Sequence, residues 1–200
     1  MTRRLERRYI AATRGCALLA LAIGIVLGAP RDAAAGLSIE PYVAFRHLNG
    51  DAGDLFEDGV ARGVALSYGF PAVPLRVRGG IDYSQHDTVD PAAHSDLDGT
   101  VLTLDAVLDF GAGLAVPYVF AGIGVSNLED DPVAAGAENA YDGGLSIGRA
   151  GLGFRVGLGR RLAAAAEASF ARGGKGNALG SDTAGNLSYL DARLGAIVSF

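Results

Sequence analysis

The chain has 200 residues, one cysteine, no tryptophan, 30 glycines and a formal net charge of −5. That acidic balance excludes nucleic acid as a partner, and the length allows one domain beyond a leader. Abundant glycine with almost no lysine favours many short strands joined by tight turns over helices.

The first stretch carries Arg3, Arg4, Arg7, Arg8 and Arg14, then an apolar run over 16–28, Pro30 and Ala33-Ala34-Ala35. That order is the order of a secretory signal peptide, so residues 1–35 are expected to be cleaved off after Ala35. The apolar run is about 13 residues, too short to cross a bilayer comfortably as a helix. Residues 1–35 hold six Arg and two acids, Glu6 and Asp32. Without them, Lys+Arg falls from 17 to 11 and Asp+Glu from 22 to 20, a net charge of −9. Cys16 leaves with the leader, so neither a disulfide nor thiol chemistry is expected in residues 36–200.

From Leu37 the pattern alternates with period two, the spacing of a half-buried strand. Leu37, Ile39, Pro41, Val43 and Phe45 face one way; Ser38, Glu40, Tyr42, Ala44 and Arg46 face the other. Residues 47–58 read as a loop rich in Gly and Asp. A second run sets Val64, Leu66, Tyr68 and Phe70 against Gly63, Ala65, Ser67 and Gly69, and Pro71 and Pro74 close it in a turn. The third sets Leu75, Val77, Ile81 and Tyr83 against Arg76, Arg78, Asp82 and Ser84, and a polar loop follows over 85–96.

The fourth run puts Leu102, Leu104, Ala106, Leu108 and Phe110 opposite Thr103, Asp105, Val107 and Asp109, ending on a Gly111-Ala112-Gly113 turn. In the fifth, Val119, Ala121, Ile123 and Val125 oppose Tyr118, Phe120, Gly122 and Gly124, before an acidic loop over 127–141. The sixth opposes Ala150, Leu152, Phe154 and Val156 to Arg149, Gly151, Gly153 and Arg155, with a short turn over 157–161. The seventh is alanine-rich: Ala164, Ala166, Ala168 and Phe170 against Ala163, Ala165, Glu167 and Ser169. Its composition favours helix, but its glycine and arginine flanks favour a hairpin, so a strand is expected. A loop over 173–187 precedes the last run, 188–200. There Leu190, Ala192, Leu194, Ala196, Val198 and Phe200 form one face, and Tyr189, Asp191, Arg193, Gly195 and Ile197 the other.

Eight runs with connections alternating long and short predict an antiparallel up-and-down all-β barrel, its long loops at one end and short turns at the other. With the apolar faces outward, the inner faces collect Arg46, Arg76, Arg78, Arg149, Arg155 and Arg193. They also collect Glu40, Asp82, Asp105, Asp109, Glu167 and Asp191. Six cations and six carboxylates balance, which predicts an ion-paired interior; an eight-stranded barrel is only wide enough for side chains to fill it. Outward aromatics form two bands: Phe45, Tyr83, Phe154 and Phe170 are assigned to the long-loop end, and Tyr68, Phe70, Phe110 and Phe200 to the short-turn end.

The final strand, with Arg193, Gly195, Val198 and a terminal Phe200, resembles the assembly signal of bacterial outer-membrane β-barrels. The stretch Pro117-Tyr118-Val119-Phe120-Ala121-Gly122-Ile123-Gly124 is similar to a strand common in their small OmpA/OmpX-like group. The resemblance implies that 36–200 is an outer-membrane β-barrel domain, exported through the periplasm and recognised by the barrel-assembly machinery. It also implies contact with outer-membrane lipid and lipopolysaccharide, and a structural or surface role in membrane integrity, adhesion or binding of an external ligand at the acidic loops. A narrow channel for small solutes is the alternative reading, and a lipid A-modifying enzyme a third.

No catalytic, cofactor or metal site is expected. His47, His86 and His94 lie in or beside the long loops, and the adjacent side chains of His94 and Ser95 point apart on an extended chain. No G-x-S-x-G elbow is present. The pairs in Asn49-Gly50-Asp51, Asp96-Leu97-Asp98 and Glu129-Asp130-Asp131 lack the spacing of a calcium loop and are read as solvated, with cation binding an open alternative. Closure requires the last run to pair with the first, leaving no bare edge in lipid. Deleting Phe200 is therefore expected to deplete heat-modifiable barrel from membranes sharply; normal levels in that deletion would refute the assembly role.

Overall fold

The alternating runs form β1 (Leu37–Asn49), β2 (Gly59–Gly69), β3 (Leu75–His86), β4 (Leu97–Asp109), β5 (Ala115–Glu129), β6 (Asp142–Gly157), β7 (Leu162–Gly173) and β8 (Ser188–Ser199). They are seen in a computed structural model that describes residues 36–70, 73–91, 95–110, 114–129, 142–173 and 187–200. Each strand pairs antiparallel with its sequence neighbours. β1 also pairs with β8, from Ser38↔Ser199 to Asn49↔Ser188, so the sheet is a closed up-and-down barrel. The leader 1–35, His94, the turn 111–113, the acidic stretch 130–141 and residues 174–186 lie outside the described residues.

The stagger of the strands fixes the size of the interior. Partner by partner, Ser38 leads to Ser67, Arg78, Asp105, Gly122, Arg149, Ala171, Tyr189 and back to β1 at Leu48. One circuit thus advances ten residues along β1. For eight strands at ordinary spacing, that shear tilts them by about 40°. Such a lumen is narrow enough that arginines reach across it.

The faces follow the alternation. The outside carries Val43, Phe45, Leu66, Val77, Leu104, Ile123 (69% exposed), Leu152 and Leu194 (64% exposed), an apolar belt far larger than a soluble monomer shows. Tyr68 and Phe70 stack edge-to-face at its short-turn end, ring centroids 5.3 Å apart. Phe154 belongs to that end as well: it pairs with Pro117 near the start of β5, which corrects its assignment to the long-loop band. The misplacement comes from direction, since β6 runs from the long-loop end towards the short turn.

Every strand but β8 extends beyond its alternating run, and most of the added length lies at the long-loop end. There the faces exchange character. On β1 the last outward apolar residue is Phe45; His47 then faces out and Leu48 in. On β5, Val125 faces out, followed by Asn127 and Glu129 outward and Leu128 inward. On β7, Phe170 is followed by Arg172 outward and Ala171 inward. Below these points the lipophilic stretches are residues 37–46 of β1, 115–125 of β5 and 162–170 of β7, nine to eleven residues each. That is the length that crosses a bilayer when tilted.

The inward residues above the exchange form a second, apolar core: Leu48, Leu97, Val101, Leu128, Leu145, Ile147, Ala171, Leu187 and Tyr189, with Ala52 and Phe56. Part of the 47–58 stretch is therefore not irregular. Gly50, at φ 67, turns the chain into a single helical turn, α1 (Asp51–Leu55). Glu57 N–H donates to Asp87 O at 2.8 Å, Val89 N–H donates to Leu55 O at 2.9 Å, and Phe56 bridges Thr88. These bonds hold Phe56, 1% exposed, within the apolar core. Truncating it by Phe56→Ala should cost about 3 kcal/mol, read as a lower urea midpoint with unchanged slope; a midpoint equal to wild type would show that this cap does not stabilise the fold.

Candidate functional site: the ion-paired interior

The middle of the lumen belongs to arginine, carboxylate and tyrosine. All six inward arginines and all six inward carboxylates have a partner, in three tiers. In the upper tier Arg46 Nε donates to Asp191 at 2.8 Å, and its Nη2 reaches Asp82 at 3.1 Å, with Nη1 on Ser84 Oγ at 3.3 Å. In the middle tier Arg78 donates to Asp105 at 3.0 Å and to Glu167, and Arg149 grips the same Asp105 from the other side at 2.8 and 2.5 Å. Arg193 bridges Glu40 at 2.7 Å and Glu167 at 3.3 Å. In the lower tier Arg76 forks onto Asp109 at 2.8 and 2.9 Å, joined by Arg155 at 3.5 Å.

Two tyrosines join the tiers. Tyr42 donates its hydroxyl to Asp82 at 3.1 Å, and its ring lies 3.4 Å from the Arg193 guanidinium. Tyr118 donates to Glu167 at 3.0 Å and its ring faces Arg76 at 5.3 Å. Asp191 at the top and Arg155 at the bottom therefore belong to one continuous network. Phe120 lies beneath both Arg78 and Arg149, at 4.6 and 5.2 Å, and Tyr189 beneath Arg46 at 4.2 Å. These aromatic faces meet guanidinium planes whose edges are incompletely hydrogen-bonded: Arg78 Nη2 and Arg193 Nε find no acceptor among the described residues.

Glycine makes the room. Tyr42 pairs across the sheet with Gly63, Phe120 with Gly151 and Tyr118 with Gly153. A β-carbon on Gly63 would stand 2.7 Å from the Tyr42 ring, and one on Gly151 2.6 Å from Phe120. Gly122 sits between Asp105 and Arg149 in the same cross-strand row, and a β-carbon there would collide with the Asp105 carboxylate and backbone. Arg149 passes over Gly122 to reach its partner two strands away. Gly195 likewise faces Glu40, where a β-carbon would come within 2.7 Å of Oε1. Val198 lies on the outward face of the same strand, and Phe200 follows its last residue.

The aromatic half of this network was hidden in the sequence, although Tyr42, Tyr118 and Phe120 stand at inward positions of their runs. An inward aromatic paired with an inward glycine was the available signal. Of the histidines, His86 turns inward, with Nδ1 3.0 Å from Glu57 O. His47 faces outward at the rim and pairs with Asp58 at 2.7 Å. Among the described residues no hydroxyl hydrogen-bonds to His47, and no three His, Cys, Asp or Glu side chains gather as a metal site. Asp98 accepts from Tyr83 at 2.8 Å and Gln85 at 3.1 Å; Glu129 accepts from Asn127 at 3.2 Å.

No protein-family model and no curated protein matches the chain. Solved structures do. Neisserial surface protein A is 14% identical with a TM-score of 0.62, matching 82% of this chain and 97% of its own. A major outer membrane protein from Thermus thermophilus is 12% identical, TM-score 0.57, over 82% and 99%. The attachment invasion locus protein of Yersinia pestis, crystallised with the heparin analogue sucrose octasulfate, is 15% identical, TM-score 0.54, over 83% and 99%. The fold is thus that of the small eight-stranded outer-membrane barrels. At these identities the likeness is one of architecture.

Removing one partner of a buried pair strands the other charge, which costs about 3–5 kcal/mol. Asp105, fully buried between two arginines, is the most exacting position. Asp105→Asn should lower the unfolding free energy by about 3–5 kcal/mol, read as a lower urea midpoint at unchanged slope. Asp109→Asn, at a tier where Arg155 is 26% and Asp109 13% exposed, should cost less. The reverse order in the same detergent or vesicle would refute the tiered energetics.

Proposed function

We propose that this chain is an integral outer-membrane barrel whose work is done by its rim and loops and not by its lumen. The reading is structural or interactive: membrane integrity, adhesion, or capture of an external partner. It has no part for catalysis. The observation that carries it is the filled interior, in which three tiers of paired charge lie under an apolar cap of Leu97, Leu128, Leu145, Phe56 and their neighbours. The filled axis argues against a water-filled conduit, because Arg46, Arg78 and Arg193 each cross the lumen between carboxylates on different strands.

The outward belt supports the membrane placement. Its stretches are nine to eleven residues tall and lack any paired charge among the described residues, while polar side chains resume above them. The loops carry mostly acids: Asp51, Asp54, Glu57 and Asp58 in the first, Asp87, Asp90 and Asp96 in the second, Glu129, Asp130, Asp131 and Glu138 in the third. Such a rim opposes polyanions of the kind crystallised with the Yersinia protein and favours a cationic partner.

Two measurements test this. In membrane fractionation the protein should follow the outer membrane and migrate differently in gels before and after heating; a soluble periplasmic protein would end the reading. In planar bilayers the purified barrel should give no steady single-channel steps, and reproducible conductance would favour the channel alternative.

A further inference from the structure

We propose that the outward groove between β2 and β3 seats a lipid headgroup of the phosphoethanolamine class, with its phosphate on Arg62 and its amine towards the carboxylates above. The proposal rests on the membrane placement argued above. The groove holds about 330 Å³ and is lined by Asp58, Arg62, Tyr83, Gln85 and Asp87 among others.

Arg62 is the anomaly that points there. It faces outward and is exposed, between Val60 and Val64 on its own strand and Val43 and Tyr83 on its neighbours. Val60, one outward step nearer the rim, still pairs with Phe45, the last apolar residue of β1 before His47. Arg62 thus enters the top of the lipophilic belt, where a bare cation is costly and the cost rises with depth. Each interior arginine is neutralised by a carboxylate, but among the described residues none lies within 4.0 Å of Arg62 and it donates no hydrogen bond to any of them. Its guanidinium sits 5.7 Å from the Tyr83 ring centroid. Tyr83 is itself held by its hydroxyl bond to Asp98. Among the described residues no anion completes Arg62, and at that height a lipid phosphate is what the surroundings supply; a guanidinium takes it as a fork of charged hydrogen bonds.

The remaining lining decides the class of headgroup. Asp87 and Asp58, the latter also paired with His47 at 2.7 Å, stand at the mouth beyond the strand ends. The groove therefore runs from cation to anion as it leaves the belt. A headgroup with phosphate next to the acyl chains and ammonium further out meets both signs in order. A purely anionic headgroup meets repulsion at the mouth.

The test uses the full chain, purified and reconstituted, with lipid retention read by native mass spectrometry for phosphatidylethanolamine, phosphatidylglycerol and bis-phosphorylated lipid A. Wild type should retain phosphatidylethanolamine above the other two. Arg62→Gln should reduce that retention about tenfold, and Asp87→Asn should reduce it while raising retention of phosphatidylglycerol, whose repulsion at the mouth it relieves. Arg172→Gln, at an outward position above the belt, should change nothing. Heat-modifiable migration of every variant confirms the barrel. A folded Arg62→Gln barrel that retains phosphatidylethanolamine like wild type overturns the site and leaves the membrane placement standing. Preference for phosphatidylglycerol or lipid A overturns the amine half. A wild-type chain that enters no bilayer overturns both.

Discussion

The structure turns on an exchange of polarity along the strands that rise furthest at the long-loop end, β1, β4, β5, β6 and β7. For about ten residues the outside is apolar and the inside charged; then, within a residue or two, the outside becomes polar and the inside apolar. Two solvents impose this. In hydrocarbon a polar outward side chain is costly, so the charges that decorate the strands are forced into the lumen. Above the lipid the ordinary rule returns, and Leu48, Leu128, Leu145 and Ile147 gather inward as they would in any water-soluble core. The backbone ladder continues unbroken across the boundary, because side-chain alternation is indifferent to which face is wet.

Once charge is driven inward, the narrow lumen dictates the rest. A shear of ten over eight strands leaves room for side chains alone, so each buried guanidinium needs a carboxylate and each carboxylate a donor. Sharing economises on partners: Asp105 serves Arg78 and Arg149, Glu167 serves Arg78 and Arg193, and Asp109 serves Arg76 and Arg155. Aromatic rings take the guanidinium faces that carboxylates leave open. Each inward ring over a cross-strand glycine fits because the glycine contributes no volume. The inward glycines are therefore spacers for their neighbours' side chains, and the packing they permit is as specific as the ion pairs.

Much of this was legible in one dimension. Period-two alternation separated the two faces of every run, and the alternation of long and short connections implied the meander. What the sequence could not carry was partnership. Arg149 and Asp105 are 44 positions apart and two strands apart; only the stagger brings them to one level, and no local pattern encodes stagger. The strand ends were missed for a different reason. Above the belt the alternation continues with inverted meaning, so Leu128 looked like a stray apolar residue in an acidic loop, and Leu97 and Leu145 fell outside any run. The same inversion hid α1, whose five residues are too few for a helical period and whose anchoring comes from Ala52 and Phe56 packing beneath the rim.

A filled lumen under a dry cap moves any selective chemistry to the outer surface, where sequence pattern is weakest and lipid is the nearest neighbour. Arg62 belongs to that surface. By the exchange rule it should be apolar, as Val60 and Val64 are on either side; by the pairing rule it should have a carboxylate, as every lumen arginine has. Among the described residues it satisfies neither, and its neighbour Tyr83 commits its hydroxyl elsewhere. A residue that breaks both constraints of a barrel otherwise obedient to them is best explained by a third party that completes it. The groove beside it, open to the belt below and edged with carboxylates above, has the polarity of a zwitterionic headgroup read from phosphate to amine.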